Sequence, residues 1–414
     1  MENIRKFSIG KFGQFGGRLG FWELSNHAPI PTPGLWITTG ATGIPHLTPE
    51  TFEISGLKPD LFSGLMASFE KHARSVDVYE AYGKGFLSFC GIKQNFPVLI
   101  SVYDPSTPIK SGFSNANSVS VWGECNQRHS VSIQDYLNGI SALKPDAFIV
   151  LHNGDVKSIN QDKISAKKIR KITEFNQKSL RTMIEKAPKD CAVVGVIEAF
   201  NSEADSKFLK DSPVGGYLLD GFHTNGDSSL NMNKEFVLRT LKDTIVPNVS
   251  QDKPKFFLGM CDPKTVIELV KNGVDFFETS YVYHLSDQGL ALCFPNALEK
   301  NSINEDLSTK HNENGKGGDC DEIKNGSKFV TQTENLNLNE SIYKNDFKPL
   351  VDGCMCFCCR KHTRAYINHL LGTKELLASV LLVIHNLHHY GIFFRSIRKA
   401  ISEDQLNELS SLLD

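Results

Sequence analysis

The sequence predicts an α/β protein: a (β/α)8 TIM-like barrel with a cysteine-rich subdomain inserted near the C-terminus. Three observations carry this. Seven short, uniformly apolar runs recur between residues 35 and 281 of the 414. Segments of helical periodicity separate them. A compact group of cysteines and a histidine-rich helix then follow between Gly353 and Gly391.

The apolar runs are LWITTGA (35–41), PVLISVYD (97–104), DAFIVLH (146–152), CAVVGVIEA (191–199), GGYLLDGF (215–222), KFFLGMCD (255–262) and VDFFETSY (274–281). They lack the polar alternation of half-exposed antiparallel strands and suit a parallel sheet covered on both faces. Between them, SIQDYLNGISAL, NQKSLRTMIEKA and NKEFVLRTLKDTI have helical spacing. The clearest helix is DPKTVIELVKNG, with Asp262 as N-cap and Pro263 at the first position. Its Val266, Leu269 and Val270 share one face, and Gly273 stops it. Strand–helix alternation of this number favours a barrel over an open doubly wound sheet. No Gly-rich phosphate fingerprint follows an early strand, which argues against a dinucleotide fold.

This divides the chain into four parts. Residues 1–298 form the main part of the barrel. Segment 299–340, rich in Asn, Lys, Glu and Gly, has too few apolar residues to repay its ordering entropy and is expected to be a disordered polar insertion; its Cys320 is an incidental thiol. Residues 341–391 form the cysteine-rich subdomain. Residues 392–414, containing FFRSIRKAISEDQLNELSSLLD, are expected to be a pair of amphipathic helices packed on the barrel.

Apolar residues make up 40% and charged residues 22%, the balance of a globular protein with a large core. A net charge of −2 offers no global basic field for nucleic acid, but it leaves a local basic face open. No apolar run reaches about 18 residues, so no transmembrane segment is expected. The N-terminus lacks the apolar stretch of a signal peptide. The expectation is a cytoplasmic, reducing setting in which the ten cysteines are thiols or metal ligands.

Cys354, Cys356 and Cys359 have C-x-C-x-x-C spacing. Thiolates this close can converge on one tetrahedral ion, with a fourth ligand from a packed helix. LLASVLLVIH, with Thr373 expected as its cap, brings His385 within reach, while His388 and His389 remain alternatives by spacing. Four protein ligands leave no open position for water, which predicts a structural zinc site, one ion per chain. A redox-active C-x-x-C from Cys356 and Cys359 is the competing reading, and Cys358 is a spare thiol. The histidines beyond His385 suit helix-end charge better than a second metal site.

C-x-C-x-x-C followed by Ile384-His385-Asn386-Leu387 resembles the zinc signature of tRNA-guanine transglycosylases, flanked by the similar YKNDFKPLVDGC and AYINHLL. TPGLWITTGATGIPHLTPETF and FFLGMCDPKTVIELVKNGVDFFE are similar to other blocks of that family. The resemblance implies a (β/α)8 barrel with a zinc-binding insertion and selects His385 as the fourth ligand. Catalytic members exchange guanine at the wobble position of tRNA for queuine or its precursor, using an aspartate nucleophile and a second, proton-handling aspartate.

Carried over residue by residue, the family's chemistry is not retained. In FETSYVYHLSDQG (277–289) the nucleophile position holds Glu278, the Pro-Thr falls on Val282 and Tyr283, and two RNA-holding arginines fall on His284 and Asp287. The second aspartate's position holds Ser101. Of the base-recognition glycines only Gly221 remains, with Asp220 in place of the other, and the base-recognising aspartate falls on His152 of HNGD. An extra methylene displaces a carboxylate by about an ångström, a misplacement that can cost roughly 100-fold in rate. Loss of the proton-handling group removes typically another ~100-fold.

The resemblance therefore implies no catalytic residues and a non-catalytic role. This chain would pair in a heterodimer with a catalytic queuine tRNA-ribosyltransferase subunit and contact tRNA through that complex, and a homodimer of the chain alone is left open. It further implies a cytoplasmic location, peripheral to the mitochondrial outer membrane. The alternatives are an active base-exchange enzyme using Glu278, with Asp104 or Asp220 as proton carrier, and an independent zinc-containing tRNA-binding scaffold. The bland readings are a hydrogen-bonded Glu278, a structural Asp275 and a turn-starting Asp104.

Overall fold

The computed structural model describes residues 6–110, 114–123, 127–154, 165–294 and 335–413. Eight parallel strands close into a barrel. In order around it they are β4 (Gly34–Thr38), β5 (Gly64–Ser68), β6 (Val98–Ser101), β9 (Ala147–Ile149), β10 (Ala192–Glu198), β11 (Gly216–Asp220), β12 (Lys255–Phe256) and β13 (Phe276–Glu278). β13 pairs with β4 in parallel to complete the ring. The seven apolar runs are seven of these strands. The eighth, β5, is GLMAS: two small residues, a glycine and no β-branched side chain leave little strand signal.

The bottom of the barrel is covered by an antiparallel sheet of β1 (Phe7–Phe12), β2 (Arg18–Trp22) and β3 (Ile30–Thr32). Trp22, Trp36, Phe256 and Phe276 form an aromatic plug there, with ring centroids 4.8–6.3 Å apart. Arg18 grips Asp275 through Nε–Oδ1 (2.8 Å) and Nη2–Oδ2 (2.6 Å), and Asp275 also accepts from the Lys255 backbone N–H at 2.7 Å. Asp275 is thus a buried structural anchor far from the opposite rim. β7 (Ser118–Trp122) and β8 (Arg128–Ser132) make a separate antiparallel ribbon beside the barrel.

A second apolar core lies outside the barrel. β14 (Leu290–Ala291) pairs with β15 (Leu336–Asn337), and the short helices Phe357–Lys361 and Arg364–Gly372 pack over them. The expected polar insertion (299–340), with Cys320, falls almost entirely outside the described residues; its last part contains β15.

One helix, Leu376–Ser402, joins the two cores. Its first turns bury Ala378, Leu381 and Leu382 in the outer core, while Leu387, Tyr390, Phe394 and Ile397 pack on the barrel. This corrects three expectations. Thr373 does not cap the helix: its hydroxyl donates to the His369 carbonyl (3.0 Å), closing the preceding helix, and Lys374 and Glu375 separate it from Leu376. The expected boundary at 391/392 falls inside the helix, so Phe393–Ser402 is its second half rather than a new element. His388 and His389 are mid-helix rather than helix-end charges; burial pulls them down to about 4 and 3, so they are neutral. The helix is also long and apolar enough to cross a membrane, although 72% of its most apolar window is buried within the protein. Its length of apolar sequence is core-facing, interrupted by His385 and Asn386.

Candidate functional site

The cysteines are presented by a tight turn. Cys356 is the N-cap of the Phe357–Lys361 helix, and its sulfur accepts the Cys359 backbone N–H at 3.2 Å. Facing them is His385, fully buried on the long helix. Its Nδ1 lies 3.9, 3.5 and 3.3 Å from the sulfurs of Cys354, Cys356 and Cys359. All four ligand atoms lie within 4.8 Å of one another. A tetrahedral zinc with bonds of about 2.3 Å to sulfur and ~2.05 Å to nitrogen sets S–N edges near 3.6 Å, so this arrangement fits zinc. His385 Nε2 lies 2.9 Å from the Leu292 carbonyl, an acceptor only, which makes Nε2 the protonated nitrogen and leaves the Nδ1 lone pair for a metal.

The next residue fixes the frame. Asn386 Oδ1 accepts the Leu292 N–H (2.7 Å), and its Nδ2 donates to Ser286 Oγ (2.9 Å) and the Leu290 carbonyl (3.0 Å). The His-Asn pair therefore ties cysteine turn, long helix and barrel together. Cys358 is buried in the outer core and is not one of the four convergent donors.

The second candidate region is the rim at the C-terminal ends of the barrel strands, where catalytic groups of such barrels reside. Glu278, at the end of β13, is buried. Its Oε2 accepts from the Thr38 hydroxyl and the Ser280 N–H, both at 2.5 Å, and its Oε1 from the Gly259 N–H (3.1 Å) and the Ser280 hydroxyl (2.5 Å). Burial pushes its pKa up, opposed by those hydrogen bonds. Four donors occupy the positions a carboxylate offers, so neither oxygen is placed for attack on a substrate. Gly259 has φ +145, and a Cβ there would come within 2.6 Å of His223, so only glycine lets this backbone approach Glu278.

The other carried-over positions are engaged in the same way. Ser101 Oγ donates to the Tyr103 carbonyl (2.9 Å). His152 Nε2 meets Asp220 Oδ2 at 2.9 Å, and its Nδ1 the Val150 carbonyl at 3.0 Å. Glu198, level with Asp220 across β10 and β11, completes a buried group with them; sequence reading missed it because one carboxylate ending an apolar strand gives no pattern. His284 and Asp287 face Asp227 (3.3 Å) and His46 (3.0 Å) at the surface. Tyr283 donates to the Thr38 carbonyl (2.9 Å). Asp104 accepts from Ser106 N–H (2.9 Å), as a turn-starting residue does, and pairs with Lys71. Asp155 of HNGD lies outside the described residues.

A cavity lined by Ser101, Tyr103, His152, Leu218, Asp220 and Asn225 encloses about 20 Å³, room for one water. A wider hollow of about 220 Å³ lies aside, between Glu70, Lys71 and Trp122 of β7, and includes neither Glu278 nor Asp220. There Glu70 accepts the Asp104 N–H at 2.6 Å, and burial pushes its pKa up to about 8.

The profile of a family described as Queuine tRNA-ribosyltransferase matches residues 14–412. The chain is 32% identical over 423 residues to the queuine tRNA-ribosyltransferase accessory subunit 2 of Xenopus tropicalis, covering 99% of this chain and 98% of the relative. It is 33% identical over 403 residues to the protein of that name from Homo sapiens, covering 92% of each. It is 29% identical over 418 residues to that from Culex quinquefasciatus, covering 99% and 89%.

Proposed function

The chain belongs to the queuine tRNA-ribosyltransferase family, and from that premise we propose that it is the non-catalytic accessory subunit of such an enzyme, paired with a catalytic subunit that exchanges guanine for queuine in tRNA. One observation carries the non-catalytic reading. Glu278, in the family's nucleophile position, is buried and accepts four internal hydrogen bonds, from the Thr38 and Ser280 hydroxyls and the Gly259 and Ser280 N–H groups. A carboxylate whose lone pairs are all taken by the chain's own donors has none directed at a substrate. The alternative, an active enzyme using Glu278, would need the rim to be rebuilt around its substrate.

Cys354, Cys356, Cys359 and His385 would hold zinc, which supplies rigidity rather than chemistry because no coordination position is left open. The subdomain it braces exposes Ile342, Phe347, Met355, Leu376 and Leu377 (41–81% exposed), an apolar set suited to a protein partner. The test is labelled-queuine incorporation into tRNA by this chain alone and mixed with a catalytic subunit. Silence alone and activity in the mixture is the expected result. Activity of the chain alone that disappears in Glu278→Gln would overturn the reading.

A further inference from the structure

The net charge of −2 conceals an uneven distribution. The helix Ala166–Lys186, AKKIRKITEFNQKSLRTMIEK, has seven basic and two acidic residues, a net +5 that leaves −7 for the rest of the chain. Ile172, Phe175, Leu180 and Met183 face the protein interior, while Lys167, Lys168, Arg170, Lys171, Lys178 and Arg181 are exposed. The helix lies between β9 and β10, two parallel neighbours, so it starts at the strands' C-terminal rim and runs back along the barrel. Its basic face therefore begins at the rim.

Part of this face is engaged within the chain: Arg181 stands over the Phe208 ring at 5.5 Å, and Lys168 has a partner of its own. Acidic groups on adjoining elements are engaged elsewhere: Asp135 accepts from the Ser132 hydroxyl (2.7 Å), Glu203 pairs with Lys207 (2.5 Å), and Asp205 accepts from Glu198 N–H and Asn201 Nδ2 (3.1 and 2.8 Å). On the helix, Arg170 meets Glu174 at 3.4 Å with both side chains well exposed, a pair worth little in water. Four cations also stand within the first six residues with no acid in the first turn. Cations there oppose the aligned peptide dipoles, so the arrangement costs helix stability.

We propose that this face of the Ala166–Lys186 helix binds the phosphate backbone of an RNA. From Lys167 to Arg181 the cations span about 21 Å at 1.5 Å per residue, a row that matches a run of phosphates rather than a single anion. A bilayer surface is also anionic, but a membrane-bound amphipathic helix inserts its apolar face, and here that face is packed in the protein. The choice of RNA rests on the accessory-subunit reading and adds to it: this subunit supplies part of the grip on tRNA.

The test uses the full chain assembled with a catalytic subunit, an in vitro transcribed tRNA as probe, and the variant Lys168→Glu/Arg170→Glu/Lys171→Glu. tRNA affinity should fall about tenfold or more, and its logarithmic salt dependence should become shallower by about two to three. Lys242→Glu, exposed on another element, should leave both unchanged. The triple variant should melt no lower than the wild type, because acids suit the start of a helix; this separates lost binding from lost folding. Unchanged affinity and salt slope in the assembled variant would overturn the inference. So would intact tRNA binding together with lost binding to phosphatidylserine vesicles. If the unaltered chain fails to assemble, the accessory-subunit reading fails instead, and the same titration on the chain alone decides the RNA face.

Discussion

The cysteine cluster and the barrel rim are both sets of polar side chains held in apolar surroundings, yet they are organised in opposite ways. At the cluster, three sulfurs and a ring nitrogen face one another, all electron-pair donors, and only a cation or protons can reconcile them. At the rim, most groups are answered by complementary ones: Glu278 receives four donors, Asp104 has Lys71 and Ser106, and Asp220 has His152, with Glu198 alone adding a second carboxylate to that last pair. A centre built for an ion keeps like groups convergent. Around Glu278 the polar groups satisfy one another instead.

The largest effect that could break this contrast is at the cluster. Cys356→Ser removes a sulfur and weakens the turn's N-cap, and zinc should fall from one per chain to none by metal analysis. Structural zinc contributes on the order of 10 kcal/mol in small zinc domains, so the subdomain should lose its fold and its partner. Full zinc in the variant would refute the ligand assignment. Next comes the surface the cluster braces. Phe347→Glu with Leu376→Glu should weaken pairing by about 2 kcal/mol or more, measured by sedimentation, with monomer stability shifting by only roughly 0.5 kcal/mol.

At the rim, Glu278→Gln separates a structural carboxylate from a nucleophile. An amide would turn N–H groups towards existing donors, costing about 1–3 kcal/mol in a denaturant melt while queuine incorporation by the assembled enzyme stays unchanged. A stable variant with no activity would reverse the contrast. The most gradual effect is at Glu70. Its folded pKa of about 8 lies above the ordinary 4.5, so its contribution is full below pH 4.5 and is lost as pH rises towards 8. Glu70→Gln stays neutral, so its melting temperature should gain on the wild type across that window.

The barrel was legible because buried parallel strands must be apolar throughout, and seven of eight are. β5 was not, since GLMAS owes its place to neighbours on both sides rather than to its own residues. The antiparallel cover β1–β3 escaped for a related reason: FSIGKF and RLGFW gain their meaning only from contacts such as Arg18 with Asp275, distant in sequence by 257 residues. At the cluster, spacing named the three cysteines but left three histidines open; the Ile384-His385-Asn386-Leu387 resemblance selected His385, whose Nδ1 faces the sulfurs. The closed state of the rim could not be read from residues one at a time, because Thr38, Gly259 and Ser280 are unremarkable until they surround one carboxylate. The start of the Leu376–Ser402 helix was misplaced because Thr373 satisfies the rule for a cap and serves the helix before it.

That long helix has a consequence for how such chains can be cut and recombined. Its first half holds His385 and the outer core; its second half lies on the barrel, where Tyr390 donates to the Cys261 carbonyl and Arg398 to that of Pro33, each at 2.8 Å. A cassette ending before the helix would lack the fourth ligand, and one ending after it would take a wall of the barrel along. The subdomain is therefore inseparable as a module: gene fragments cannot trade it between barrels without also trading the barrel's own surface.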